Sequence, residues 1–166
     1  MPTEARLAQL EARLAALQHI DGIESLKHRY WRAIDRQDPA TVAACLTEDV
    51  IVDFDSLPRC ETREAFMRII RQAATQPHIY GMHHGQNPTI TLTGAHTAQG
   101  LWEVFYYGID ASSGTLTQLA GAYTDTYRRE NGAWLIATTA MRITSLHVQH
   151  ATPGHAPVTA MFGRAA

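Results

Sequence analysis

No stretch of this chain is apolar for anything near the roughly 20 residues that a membrane-spanning helix needs, so no membrane partner is expected. Neither end reads as a signal peptide. Cysteine is almost missing: Cys45 and Cys60 stand alone, with no paired spacing for zinc or a disulfide scaffold. The expectation is two reduced, mostly buried thiols in a cytoplasmic protein. An excess of one charge is missing too. A formal net charge of −2 gives no electrostatic case for nucleic acid or an anionic membrane. Gly-x-Ser-x-Gly, phosphate-loop and dinucleotide fingerprints are absent, which leaves serine hydrolases, nucleotide hydrolases and Rossmann enzymes without support. The nine histidines do not pair at ligand spacing beside a matching carboxylate, and His147, His150 and His155 are spread over a strand end and the tail. Neither a metal nor an organic cofactor is expected.

What is present fits one domain. The chain has 166 residues, 45% of them hydrophobic and 18% charged, enough to bury a real core. Leu7, Leu10, Leu14 and Leu17 alternate at steps of three and four, a heptad-like seam on an N-terminal helical extension over 1–20. Such a seam needs its own domain or a neighbouring subunit to cover it. Asp21 and Glu24 have capping-box spacing, and Asp21-Gly22 predicts a break before the next helix. That helix carries Ile23, Leu26, Tyr30 and Ile34 on one stripe. Asp38-Pro39 reads as an N-cap with proline at the first helical position of a short helix. A strand over 50–54 and a helix over 62–74 follow.

After Pro77 threonine, aromatic and β-branched residues dominate to about His147, and Asn131-Gly132 is a strong hairpin signal. Helices first and strands afterwards predict an α+β domain over 21–148, a curved antiparallel sheet closed on one side by helices. The segment 149–166, with Pro153, Gly154 and Pro157, reads as an irregular tail.

The residues with chemistry are a phenol, a carboxylate and an imidazole: Tyr30, Asp35 near a helix end, and His83 in Met82-His83-His84-Gly85-Gln86-Asn87. On a strand His83 and His84 point to opposite faces, so only one can enter a given cavity. A carboxylate beside an imidazole fixes its tautomer and supports its charged form. At about 100° per residue Asp35 lies roughly 140° around the helix from Tyr30, so the two share no row. Trp102, Val104 and Tyr106 alternate with Leu101, Glu103 and Phe105. Tyr123, Asp125 and Tyr127 form a carboxylate between two rings. That face is either a pocket wall or an aromatic core row whose Asp125 is paired to an arginine. Glu103 is either a second cavity carboxylate or solvent-facing.

The order of motifs then carries a resemblance. Tyr30-x4-Asp35-Arg-x-Asp38, Leu46-Thr-Glu-Asp49-Val-x3-Phe54, Arg63-Glu64-Ala65, His83-x3-Asn87-x2-Ile90, Gly121-x-Tyr123-x-Asp125 and Asn131-Gly132-x-Trp134 resemble the SnoaL-like family of the nuclear-transport-factor-like cone fold. Scytalone dehydratase, bile-acid 7α-dehydratase and lindane dehydrochlorinase belong to that family. The resemblance implies a cone-shaped sheet wrapped by N-terminal helices around a deep apolar cavity. It implies that His83 is the base, Asp35 its orienting partner and Tyr30 the residue touching substrate. Trp31, Phe54, Trp102, Tyr123, Asp125 and Tyr127 would then line the substrate site. The dehydrochlorinase has lysine where this chain has Tyr30, and arginine where it has Thr139, so a chloride-stabilising role is not carried over. Tyr30 matches the bile-acid dehydratase pattern instead.

The reading that follows is a cofactor-independent dehydratase or isomerase for a small to medium apolar cyclic molecule, assembled as a homo-oligomer (dimer or trimer). The rival readings are a non-catalytic binding or accessory subunit of the same fold, and an isomerase with a carboxylate base in place of His83.

Overall fold

The computed structural model describes residues 3–151. It opens with a single helix, α1 (Thr3–Asp35), followed by α2 (Pro39–Ala44), β1 (Leu46–Phe54), α3 (Arg63–Ala73), β2 (Ile79–Gly94), β3 (Thr97–Asp110), β4 (Thr115–Glu130) and β5 (Ala133–His150). The break expected at Asp21-Gly22 does not form. Glycine inside a helix costs only about 1 kcal/mol relative to alanine. Packing holds the helix across that point, with the His19 ring edge-on to Trp134 at 5.7 Å and Gly22 beside the same indole.

Caps expected from the sequence are present. Asp38 accepts from the Thr41 N–H, and Thr62 accepts from the Ala65 N–H, each satisfying a donor that a helix start leaves open. α1 ends in a Schellman motif, in which the Asp38 N–H reaches the Ala33 carbonyl and the Gln37 N–H reaches that of Ile34. Gln37 takes the left-handed position usually given to glycine, with φ 53°. Its side chain also donates to the carbonyls of Gln76 and Ile79, tying the end of α1 to the start of β2.

The five strands run in the order β1-β5-β4-β3-β2. β2 to β5 form an antiparallel meander, while β1 joins β5 in parallel, so the sheet is mixed where a purely antiparallel one was expected. Asn131 and Gly132, both at positive φ, turn β4 into β5. Bulges at Ala120/Gly121 and Thr126/Tyr127 strengthen the bend of an open, curved sheet. Gln149 and His150, expected in the tail, lie in β5, and the remainder of that tail from 152 on lies outside the described residues.

α1 and α3 cover the concave face. Its core is Ile23, Leu26, Tyr30 and Trp31 from α1, Phe66 and Met67 from α3, and Val52, Phe54, Trp102, Val104, Tyr123, Tyr127, Ile136 and Met141 from the strands. Those side chains pack against one another, and an apolar-walled pocket of about 180 Å³ opens beside them between α1, α3, β2 and β3. No helix among the described residues is long and apolar enough to cross a membrane.

Candidate active site

α1 crosses the edge strand β2 with its last two turns. Trp31 lies on Gly85 so closely that a Cβ there would stand 1.8 Å from the indole ring. One turn on, Asp35 meets His83. The spacing explains the fit: four helical residues rise about 6 Å, and two strand residues advance about 6.6 Å. The pair Trp31 and Asp35 therefore falls in step with Gly85 and His83.

Asp35 holds His83 at two points. One carboxylate oxygen, Oδ1, lies 2.6 Å from His83 Nδ1, and the other, Oδ2, accepts the His83 backbone N–H at 3.0 Å. A carboxylate accepts, so the bond needs the proton on Nδ1, which in the neutral imidazole leaves the lone pair on Nε2. Both side chains are 17% exposed, reachable but largely shielded. His84 points to the opposite face, against the Phe105 ring.

Directly across the ladder from His83 stands Tyr106, its ring centroid 4.8 Å from the imidazole. Gly81 and Gly108 lie on either side, and a Cβ on them would stand 2.5 and 2.6 Å from the Tyr106 hydroxyl oxygen. Burial, and after it the Asp35 charge, push this phenol above its usual range, so it stays protonated near neutral pH. Asp35, His83 and Tyr106 line one pocket of about 180 Å³, whose apolar wall includes Ile34, Ile70 and Ala73. A larger open groove of about 960 Å³ runs past the edge of β2 and also reaches Asp35 and His83, with Trp31, Arg32 and Arg36 along its helix side.

The rest of the expected site lies elsewhere. Tyr30 is 1% exposed and lines neither opening, because the helix turns it toward the core while Asp35 faces β2. Of the expected substrate contacts Trp31 borders the groove, whereas Phe54, Trp102, Tyr123, Asp125 and Tyr127 are packed in the core. Asp125 is ion-paired there, as one of the two readings required, but with Lys27, at 2.7 Å and with both side chains fully buried. The Lys27 ammonium lies 3.8 Å from the Tyr123 ring centroid, 4.9 Å from Trp31 and 5.3 Å from Tyr30. Burial lowers the affinity of Lys27 for its proton, and Asp125 opposes that. A chain of donors completes the arrangement, Trp102 N–H to the Tyr127 oxygen at 2.9 Å and Tyr127 O–H to Asp125 at 2.7 Å. Glu103 is on the exposed face, accepting from Asn87. Among the described residues no three His, Cys, Asp or Glu side chains gather as a metal site.

Two residues here escaped the sequence reading. Tyr106 was assigned to a strand face, but its register opposite His83 follows only from the β2–β3 hairpin. The glycines two positions before His83 and two after Tyr106 were the available signal. Lys27 sits within the apolar stripe of α1, and a lysine there signals a buried partner.

Residues 15–140 match the sequence profile of the SnoaL-like domain, and the chain belongs to that family. Solved structures agree on the fold. A protein from Novosphingobium aromaticivorans DSM 12444, provisionally named a scytalone dehydratase, superposes with a TM-score of 0.74 at 21% identity, covering 89% of this chain and 97% of its own. The hexachlorocyclohexane dehydrochlorinase LinA-type3 of Novosphingobium barchaimii LL02 gives 0.74 at 17% identity, over 89% and 99%. An NTF2-like protein with a cystatin-like fold, also from Novosphingobium aromaticivorans, gives 0.69 at 22% identity, over 83% and 90%.

Proposed function

We propose that this protein is a general acid–base lyase, a dehydratase or failing that an isomerase, acting on a small to medium, mostly apolar cyclic hydroxy-ketone. The observation that carries the reading is the two-point grip of Asp35 on His83 beside a protonated phenol in one pocket. His83 Nε2 takes a proton from the carbon next to the carbonyl. The imidazolium that forms is stabilised by Asp35, already in place and needing no reorganisation. Tyr106 donates to the enolate oxygen or to the departing hydroxyl, the role first expected of Tyr30. The imidazolium passes its proton to the departing hydroxyl, so elimination releases water, leaves a conjugated ketone and restores neutral His83; return of the proton to a different carbon gives the isomer. Each positioned proton-transfer group contributes about 10²–10⁴-fold. No step asks for electrons, so chelation and dialysis should leave activity unchanged.

The protein is further proposed to act in the cytoplasm as a homo-oligomer, since Leu101, Phe105 and Tyr107 leave an apolar strip exposed on the outer face of β3. Selective binding without turnover is the second reading, and the open groove of about 960 Å³ beside β2 favours it. A panel of cyclic β-hydroxy-ketones and hydroxylated steroids, followed by the absorbance of the enone product, separates the two. The lyase reading expects turnover by the wild type and a loss of at least about 10²-fold in His83→Ala with an unchanged melting temperature. Binding of panel members with no turnover, or equal rates in His83→Ala, supports the carrier reading.

A further inference from the structure

We infer that the free end of α1 pairs in parallel with the same segment of a second copy of this chain. This rests on the oligomer part of the reading above and is independent of its catalytic part. Residues 3–15 are all exposed, and the first ring contact of α1 with its own domain is that of His19 with Trp134. Leu7, Leu10 and Leu14 lie on this free stretch and Leu17 just past it, all between 54% and 63% exposed. A helix of that length standing alone in water is marginal, and its stability comes from a packed apolar face. The seam cannot fold back onto its own sheet, because α1 runs unbroken to Asp35.

Charge chooses the partner and its direction. With Leu7 and Leu14 at heptad position a and Leu10 and Leu17 at d, Arg6 and Arg13 fall at g, and Glu4 and Glu11 at e. In a parallel pair a g residue meets the e residue five positions later in the other helix. Arg6 then meets Glu11 of the partner subunit, and the reciprocal pair forms by symmetry. In an antiparallel pair g meets g and e meets e. With all four leucine layers overlapped, Arg13 would face Arg13 of the partner subunit, and Glu11 would face Glu11 of the partner subunit, both repulsive. A second copy laid parallel satisfies the leucine seam and the charges together.

The test uses the full chain with Leu17→Cys, since the native Cys45 and Cys60 are buried. In the parallel register position 17 meets itself, so mild oxidation should give a disulfide-linked dimer that the wild type does not form. Antiparallel helices would hold the two thiols about 15 Å apart along the axis. Sedimentation equilibrium on charge variants supplies the second arm. Arg6→Glu should weaken self-association about two- to fivefold, and adding Glu11→Arg should restore it. Absence of the cross-link in a chain that still sediments as an oligomer would overturn the parallel seam while leaving oligomerisation standing. Association of Arg6→Glu equal to that of the wild type would do the same, because Arg6 meets no charge in the antiparallel register. A monomer at every concentration would overturn both.

Discussion

Asp35 owes its place to what it grips. Its two oxygens take the ring N–H and the backbone N–H of one residue, so neither the helix end nor the strand can shift without breaking a charge-assisted hydrogen bond. Asp35→Asn should keep part of this geometry but lose the charge that supports imidazolium, and activity should fall by orders of magnitude with little change in melting temperature. Tyr106 should respond differently. Its phenol is held protonated above the ordinary value of 10.0 by burial first and Asp35 second. Activity should therefore decline on the alkaline side only above pH 10, and Tyr106→Phe should lower the turnover rate and abolish that limb. A pH–rate profile of the two proteins decides it; an unchanged alkaline limb in Tyr106→Phe would exclude the phenol. Lys27 and Asp125 are a residue-scale matter of stability. Removing one member of a fully buried pair strands the other charge, so Lys27→Met should cost about 3–5 kcal/mol, and Lys27→Met with Asp125→Asn together should cost less. Denaturant titration of the wild type, Lys27→Met, Asp125→Asn and the double variant completes that cycle.

At the scale of elements, the site depends on the register between one helix and one edge strand. Gly85 sets it. Alanine there drives a methyl into the Trp31 ring, which is fixed in the core, and should destabilise by about 1–3 kcal/mol and disturb the Asp35–His83 pair. Gly81→Ala and Gly108→Ala press on the hydroxyl and the outer ring carbons of Tyr106 and should reduce activity with less effect on stability. Circular dichroism melts beside rates distinguish the two kinds of glycine. Most of these elements were readable in advance because their signals are local. The Asp38 and Thr62 caps and the Asn131-Gly132 hairpin need only their own neighbours. The break at Asp21-Gly22 was misread because the contact that overrides it, with Trp134, lies more than a hundred residues away. The parallel pairing of β1 with β5 was hidden for the same reason. His83 and Asp35 were legible as types and spacing within a motif order. Tyr106 and Lys27 were not, because their roles arise from register and burial.

For the whole molecule, the aromatic cone interior is both the core and a pH sensor. The phenols of Tyr30, Tyr123 and Tyr127 are all raised above 10.0, by burial first; Asp125 adds to this at Tyr123 and Tyr127, and Tyr123 before Asp125 at Tyr30. The folded state keeps those protons above pH 10 while the unfolded chain gives them up. Stability should thus be intact below pH 10 and fall above it, by roughly 1.4 kcal/mol per pH unit for each phenol. Lys27, lowered from 10.5, acts in the opposite sense only below that value. Unfolding followed by tyrosinate absorbance should show a steep loss above pH 10.5; a flat profile there would mean the rings are solvated. The proposed reaction would take place in the pocket where Asp35, His83 and Tyr106 converge. The claim that His83 removes a proton from carbon is tested most directly by incubating a panel of cyclic hydroxy-ketones in D₂O and following loss of the α-proton signal by NMR. That readout needs no departure of the hydroxyl. The wild type should exchange the α-proton of at least one compound well above the buffer rate, and His83→Ala should fall to that rate. Exchange at equal rates in both proteins, or none in either while the compounds bind, would contradict it.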